Sequence, residues 1–152
     1  HGHGHGHGHG QEHGHGQEHG HGHGHEHGHE HEHEHDHKHH IRTTAVQFNG
    51  VVRPGALSMW LSIMTQMHGD KLLRIKGILR LDVEPRDAEG NAPPYELHCV
   101  QHLIYPARAL PAWPDDDPRN RMVFIARGMS QQALNGLAAN LLDTLGVSPT
   151  VR

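Results

Sequence analysis

The alternation of apolar and polar residues predicts that regular structure begins near residue 41. Residues 41–48 are rich in β-branched side chains and end at an Asn-Gly turn signal, which predicts a strand. Pro54 suits the first turn of a helix, and residues 54–69 then place apolar side chains every three or four positions. This spacing predicts an amphipathic helix that ends at Gly69. Its expected buried stripe consists of Leu57, Trp60, Leu61, Met64 and Met67.

A period of two predicts the next two strands. Residues 71–84 place Leu73, Ile75, Leu79, Leu81 and Val83 on one face and Arg74, Lys76, Arg80 and Asp82 on the other. Gly77 interrupts the apolar face, where it marks a bulge or permits close approach of a neighbouring element. Residues 95–105 repeat the alternation, with Cys99 expected to be buried. On such a strand His98 and His102 lie about 13 Å apart, too far to share one metal ion.

The remaining sequence predicts a loop, a fourth strand and a second helix. Residues 106–118 are proline-rich and are expected not to pair. The aspartates at 115–117 allow either a cation cluster or a solvated turn, and the flanking prolines favour the turn. Residues 120–127 predict a strand, and Ser130 and Gly146 bound the last helix. The order βαβββα predicts an α+β domain, with both helices on one face of a four-stranded, largely antiparallel sheet.

Residues 1–40 have a different composition, since they alternate histidine first with glycine and then with glutamate. They hold nineteen of the twenty-two histidines and almost no apolar side chain. Such a segment cannot bury enough surface to offset the entropy of ordering its backbone, so we expect it to be disordered until a ligand binds. The chain therefore divides into a His-rich segment, 1–40, and a folded domain, 41–152.

Imidazole-rich sequence of this kind is typical of a site for divalent transition metals. Neutral imidazole suits zinc, and alternatively cobalt or nickel, and every second residue of an extended chain lies on the same side. With four ligands per ion, the segment has capacity for about four or five ions. A purification tag and a purely solubilising tract are the alternative interpretations. The candidate metal ligands are His1, His3, His5, His7, His9, His13, His15, His19, His21, His23, His25, His27, His29, His31, His33, His35, His37, His39 and His40.

Charge and cysteine content exclude several classes of function. The His-rich segment has seven acidic residues and one lysine, a net charge of −6, whereas residues 41–152 have ten acidic and twelve basic residues, a net charge of +2. The folded part has no Lys/Arg run, which argues against a nucleic-acid partner. The sequence contains no window of eighteen apolar residues, so no membrane-spanning helix is predicted. The single cysteine excludes a disulfide framework and fits a reducing, cytoplasmic compartment.

Four features stand in a fixed order along the folded part: RIKGIL at 74–79, HCVQHLIY at 98–105, Trp113 before a charged turn, and RMVFIARGM at 121–129. Together they resemble the C-terminal domain of CobW-family GTPases. The resemblance implies a P-loop GTPase that inserts or delivers metals, among them cobalt near cobalamin synthesis, with a His-rich linker before this domain. The sequence holds neither a GxxxxGK[ST] loop nor the family's CxCC motif. We therefore expect GTP and Mg²⁺ to be bound only by a GTPase domain absent from this fragment, and expect the fragment itself not to be an enzyme.

The resemblance implies a C-terminal regulatory and interaction domain of a metal chaperone. Its expected partners are the GTPase domain of the same full-length chain and a client metalloprotein or metal-insertion enzyme. The alternative is a stand-alone metal buffer, in which the folded part merely anchors the His-rich segment. The candidate interaction face consists of Arg74, Lys76, Arg80, His98 and His102.

Overall fold

A computed structural model describes residues 40–150 of the chain, and these residues form the predicted α+β arrangement. Most of the His-rich segment, with the disorder predicted for it, lies outside the described residues. In chain order the elements are β1 (Ile41–Phe48), α1 (Pro54–His68), β2 (Leu72–Arg80), β3 (Pro94–Val100), β4 (Leu103–Ile104), β5 (Arg108–Ala109), β6 (Asn120–Arg127) and α2 (Gln131–Leu145).

The strands form one sheet in the order β1-β6-β2-β3-β4, and β5 also pairs with β3. Every pair of adjacent strands is antiparallel, which confirms the predicted sheet type. The last strand in sequence, β6, lies between β1 and β2. These two strands therefore run parallel to each other, and α1 connects them as in a split βαβ unit.

The predicted count of four strands is wrong, because the described residues form six. The chain reverses after β3 in a two-residue turn at Gln101 and His102, where Gln101 has a φ of 50°. Strand β4 then returns along β3, so that Ile104 pairs with Cys99. The alternation of apolar and polar residues continues through this turn, which is why the sequence reads as one long strand.

The second added strand, β5, lies inside the proline-rich stretch that was expected not to pair. Arg108 and Ala109 face Glu96 and Tyr95 of β3. Both residues retain a backbone N–H, and the nearest prolines lie outside the pair. The prolines therefore limit the length of this strand but do not prevent it.

The hydrophobic core lies between one face of the sheet and the two helices. Trp60 of α1 contacts Phe124 of β6 edge-on, with ring centroids 6.0 Å apart, and its indole N–H donates to Asn140 Oδ1 of α2 at 2.8 Å. These two contacts join α1 to the sheet and to α2. The largest fully buried side chains are those of Phe48, Phe124, Leu72, Ile75, Leu79, Met122, Leu134, Leu141, Val52, Asn120 and Cys99.

Two details of the predicted core are wrong. Met67 was expected on the buried stripe of α1 but is 63 % exposed, and Thr65 is buried instead, with its hydroxyl donating to the Leu61 carbonyl at 2.7 Å. In β2 the buried residue is Leu72 rather than Leu73, because the register with β6 shifts between Leu72 and Arg74. A bulge of this kind turns the residues that precede it to the opposite face of the sheet.

Strand β2 also ends earlier than predicted, at Arg80. The Val52 N–H donates to the Arg80 carbonyl, and the Asp82 N–H donates to the Val52 carbonyl. Leu81 thereby bridges to Val52, ahead of α1, in the parallel direction. The pairing of β2 with β3 ends at Arg80.

Helix α2 follows the predicted caps. Ser130 Oγ accepts from the Ala133 N–H at 3.1 Å, and Gly146 ends the helix at a φ of 71°. Neither described helix has both the length and the apolar character needed to cross a bilayer.

Gly77 permits close approach of β6, as one of the two interpretations of the sequence predicted. It faces Met122 across the ladder, and Met122 is fully buried. A Cβ at residue 77 would lie 2.8 Å from the Arg121 carbonyl oxygen and 2.9 Å from Met122 Cγ. Only glycine leaves room for this pairing without displacing the backbone of β6.

We predict that Gly77→Ala lowers the free energy of unfolding by about 1–3 kcal/mol, because the added methyl group overpacks the β2–β6 ladder. Urea denaturation at constant protein concentration measures the change. The matched control is Gly136→Ala in α2, where a Cβ meets nothing within 4 Å. This control is expected to raise stability by about 0.5–1 kcal/mol, since alanine favours the helix. Equal effects of the two substitutions would contradict the proposed close approach.

Candidate functional site

The predicted metal ligands from His1 to His39 lie outside the described residues. His40 is described and exposed, and it lies immediately before β1 with its carbonyl accepting from the Gly128 N–H at 3.4 Å. Within residues 40–150, no group of three or more histidine, cysteine, aspartate or glutamate side chains is arranged to hold a metal ion.

The sheet face opposite the helices, here called the outer face, displays alternate residues of the four long strands. At its centre Lys76 of β2 pairs with Val123 of β6 on one side and with His98 of β3 on the other. In the neighbouring row Arg74 lies between Ile125 and Val100. The predicted polar face is therefore a mixture of cationic and apolar side chains.

At one end of the outer face, Arg108 and Arg121 are paired with carboxylates, whereas Arg80 packs against Trp113 and forms no ion pair among the described residues. Arg108 Nη2 lies 2.6 Å from Glu96 Oε2, and Arg121 binds both carboxylate oxygens of Asp115 at 2.7 and 2.8 Å. The hydrogen bond from Arg108 lowers the pKa of Glu96, and the one from Arg121 lowers the pKa of Asp115. Both carboxylates are thus charged and offset the charges of Arg108 and Arg121.

Trp113 lies at the same end, and two arginines pack against its ring. The guanidinium carbons of Arg80 and Arg121 each lie 5.6 Å from the centre of its ring, which is the range of a cation–π contact. Asp117 pairs with Arg119 at 2.7 Å, and hydrogen bonds from Arg119 hold the pKa of that carboxyl far below its usual range. Two of the three aspartates in this turn are therefore engaged by arginine, which explains their clustering without a cation.

From Lys76 at the centre to Arg127 at the other end, the cations of the outer face have no carboxylate at ion-pair distance among residues 40–150, although the charge of Lys76 still helps to lower the pKa of Glu96. Arg74, Lys76 and Arg127 are all exposed, and none of them forms an ion pair there. Arg74 Nε donates to His98 Nε2 at 3.1 Å. The His98 ring stacks on Tyr105, with centroids 5.3 Å apart and an angle of 15° between the rings.

A shallow depression of about 350 Å³ lies on the outer face between the paired and unpaired ends. Apolar side chains of β1, β2 and β6 form much of its lining, and Lys76, Glu96 and Arg121 supply the charged groups. Val123, at the centre of this region, is 40 % exposed. The depression combines apolar contact area with cations, which suits contact with a protein surface.

The structure places four residues of the predicted interaction face together and separates the fifth. Arg74, Lys76, Arg80 and His98 share the outer face. His102 instead lies in the turn between β3 and β4, so it does not share a strand with His98, and the continuous strand behind the predicted 13 Å spacing is not formed. Its ring lies so close to Gly69, at the end of α1, that a Cβ there would be 2.5 Å from His102 Cδ2.

Cys99 lies on the buried face of β3, as predicted. Its side chain is 1 % exposed, and burial raises the pKa of the thiol to about 11. A buried, protonated thiol is a poor nucleophile and a poor metal ligand.

Sequence reasoning missed three residues of the outer face. Tyr105 reaches His98 only through the unexpected hairpin, and Trp113 reaches the face through the fold of a loop. The position of Arg121 on the outer face was predictable, since β6 alternates with period two and Met122, Phe124 and Ala126 form its buried side.

Comparison with known proteins places this fold in a family. The sequence profile of the cobalamin synthesis protein CobW C-terminal domain matches residues 41–142, which are 102 of the 152 residues. No individually curated protein matches the chain. Among solved structures, the Zn(II)-bound YjiA GTPase from E. coli resembles it with a TM-score of 0.50 and 28 % sequence identity over 66 % of this chain. A Zn(II)-bound triple mutant of YjiA gives the same values.

The region of similarity covers only a part of those proteins. The chain spans 29 % of the length of the YjiA GTPase. The profile match covers nearly all of the described residues, from the first residue of β1 to within the last turn of α2. The chain therefore belongs to the family of the CobW C-terminal domain.

Proposed function

We propose that this chain is the C-terminal regulatory and interaction part of a CobW-type, GTP-dependent metal chaperone. Its His-rich segment captures a divalent metal as cargo, with zinc as the first candidate and cobalt or nickel as alternatives. The ion is then delivered to a client metalloprotein, a metal-insertion enzyme or cobalamin synthesis. The observation that carries this proposal is the direct junction, at His40, of an imidazole-rich segment with a domain of this family.

The relative of known structure supports the choice of metal. The YjiA GTPase was crystallised with Zn(II) bound, and the matched part of this chain is 28 % identical to it in sequence. Histidine nitrogen is a common zinc ligand, and a flexible imidazole-rich sequence selects weakly among zinc, cobalt and nickel. Metal availability in the cell then decides which ion is carried.

The proposed mechanism of capture is local concentration. A tethered segment with many weak sites keeps exchanging ions near one end of the folded domain, so that a transfer site in the same protein meets them at a high effective concentration. Nucleotide binding and hydrolysis belong to the GTPase domain of the full-length protein, where GTP and Mg²⁺ would be held. The described domain contributes a surface for contact.

The outer face is our candidate for that contact surface. Arg74, Lys76 and His98 surround exposed apolar area at Val123, and such a mixture is typical of interfaces that bury apolar contacts within a polar rim. The expected partners are the GTPase domain of the same protein and the client. A stand-alone metal buffer is the rival function, and a P-loop sequence in the same reading frame would exclude it.

We predict that the chain binds about four or five zinc ions at pH 7.5, and that replacing the nineteen histidines of residues 1–40 by glutamine abolishes this binding. The replacement keeps the length and the acidic residues of the segment, so it isolates the contribution of imidazole. Isothermal titration calorimetry of the two chains measures the stoichiometry and the affinity.

The matched control for this titration is His98→Gln with His102→Gln, which leaves the His-rich segment intact. We expect this variant to bind the same number of zinc ions as the unmodified chain. Zinc binding that survives loss of the nineteen histidines but disappears in the control would place the metal site in the folded domain and contradict the proposal.

We also predict that zinc affinity falls at least about tenfold between pH 7.5 and pH 5.5. Free imidazole has an ordinary pKa near 6.5, and only its neutral form binds metal, so the neutral fraction of each ring drops about tenfold over this interval. Competition with a chromogenic chelator of known affinity at each pH provides the measurement. An unchanged affinity would show that carboxylates rather than imidazoles supply the ligands.

A further inference from the structure

The outer face carries its charge unevenly. Arg108 and Arg121, near β5 and the aspartate turn, are paired with carboxylates, whereas Arg74, Lys76 and Arg127 have no carboxylate at ion-pair distance among the described residues. We name these three residues the cationic patch. Arg127 pairs with Ile41, the first residue of β1, and Arg74 lies in the next row of the sheet.

The cationic patch therefore lies where the His-rich segment joins the domain. Adjacent strands are about 4.8 Å apart and adjacent rows about 7 Å apart. Arg127 then lies about 5 Å from the start of β1, Arg74 about 12 Å and Lys76 about 17 Å. The unpaired end of the outer face is also its end nearest to residue 40.

The segment that arrives at this point is acidic. Of its seven carboxylates, five lie within residues 26–36, and Lys38 is its only lysine. An extended chain covers about 3.3–3.6 Å per residue, so Asp36, Glu34 and Glu32 reach up to about 14, 21 and 28 Å from residue 40. Each of these spans exceeds the corresponding distance to Arg127, Arg74 or Lys76, so the carboxylates can reach the cationic patch.

We propose that, in the metal-free protein, residues 26–39 dock on the cationic patch, and that loading the segment with divalent metal releases them. Asp36, Glu34 and Glu32 are the carboxylates that pair with the patch. Individual exposed ion pairs are weak, but the segment is tethered beside the patch and so competes at high effective concentration against any free acidic partner.

The proposed release follows from the change in the net charge of the segment when it binds metal. The metal-free segment has a net charge of −6 with neutral histidines. Each divalent ion bound by neutral imidazoles adds +2, so three ions cancel the charge and a fourth makes the segment positive. A cationic segment is repelled by the patch. By thermodynamic linkage, docking must in turn weaken the binding of metal to the segment.

This release step rests on the proposed metal capture, whereas docking can be tested in metal-free protein. A nitroxide spin label attached at Gly28→Cys reports where residues 26–39 lie, through broadening of nearby backbone amide signals in NMR spectra. The native thiol of Cys99 is 1 % exposed, so only the introduced cysteine is labelled. We expect broadening of the Ile125 and Val123 amides to exceed that of amides in α2.

Two charge variants identify the contacts. Glu32→Gln, Glu34→Gln and Asp36→Asn together keep every histidine, and Arg74→Gln with Arg127→Gln removes two members of the patch. Each variant, and a rise in ionic strength from about 0.01 M to about 1 M, is expected to reduce the selective broadening at least threefold. The matched control, Arg53→Gln with Arg86→Gln, removes the same charge from elsewhere and is expected to leave the broadening unchanged.

The possible outcomes test docking and metal-dependent release separately, because only release depends on the proposed metal capture. Selective broadening that is the same in the unmodified chain and in both charge variants would overturn the proposed docking. Broadening of isotope-labelled chains by spin-labelled chains in a mixture also overturns it, because a second copy would then be the partner. Loss of broadening after about three equivalents of zinc supports metal release. Persistence of the broadening with zinc demonstrably bound overturns release, whereas failure of zinc to bind overturns the proposed function and leaves docking standing.

Discussion

The insertion of β6 between β1 and β2 is the constraint on which both faces of the sheet depend. It requires Gly77, because Met122 and the backbone of β6 occupy the space that a Cβ would take. The buried amide of Asn120 fixes the start of β6, accepting from the Arg80 N–H and donating to the Gly50 carbonyl. With this register set, the buried residues of β6 meet both helices, and its exposed residues align with those of β2 to form the outer face.

The sequence was sufficient to predict the elements whose ends carry strong local signals. Strands β1 and β6 and helix α2 have the expected bounds, since Asn-Gly and Gly146 end regular structure through their backbone conformation and Ser130 begins α2 through a capping hydrogen bond. The hairpin at Gln101 was missed because its turn contains no glycine or proline and the alternation passes through it. Thr65 replaces Met67 in the core because its hydroxyl bonds within the helix, which hydrophobicity alone does not register.

The candidate site was predictable only in part, for a related reason. Period-two patterning identified Arg74, Lys76, Arg80 and His98 as neighbours, because strand geometry fixes which residues share a face. The ion pairs at one end of that face involve Arg108 of the unpredicted strand β5 and Asp115 of a loop, and neither the pairing of β5 nor the fold of the loop is encoded in a repeating pattern. The division of the outer face into a paired end and an unpaired end beside the His-rich segment therefore became visible only in three dimensions.

We propose that imidazoles of the His-rich segment, and not groups of the folded domain, hold the metal. X-ray absorption spectroscopy of the zinc-loaded chain tests this assignment, because zinc–nitrogen bonds are about 2.0–2.1 Å long and zinc–sulfur bonds about 2.3 Å. We expect a first shell of nitrogen and oxygen at the shorter distance, with the outer-shell scattering of imidazole rings. A sulfur ligand, which only Cys99 or a methionine could supply, would place the metal in the folded domain and overturn the proposal.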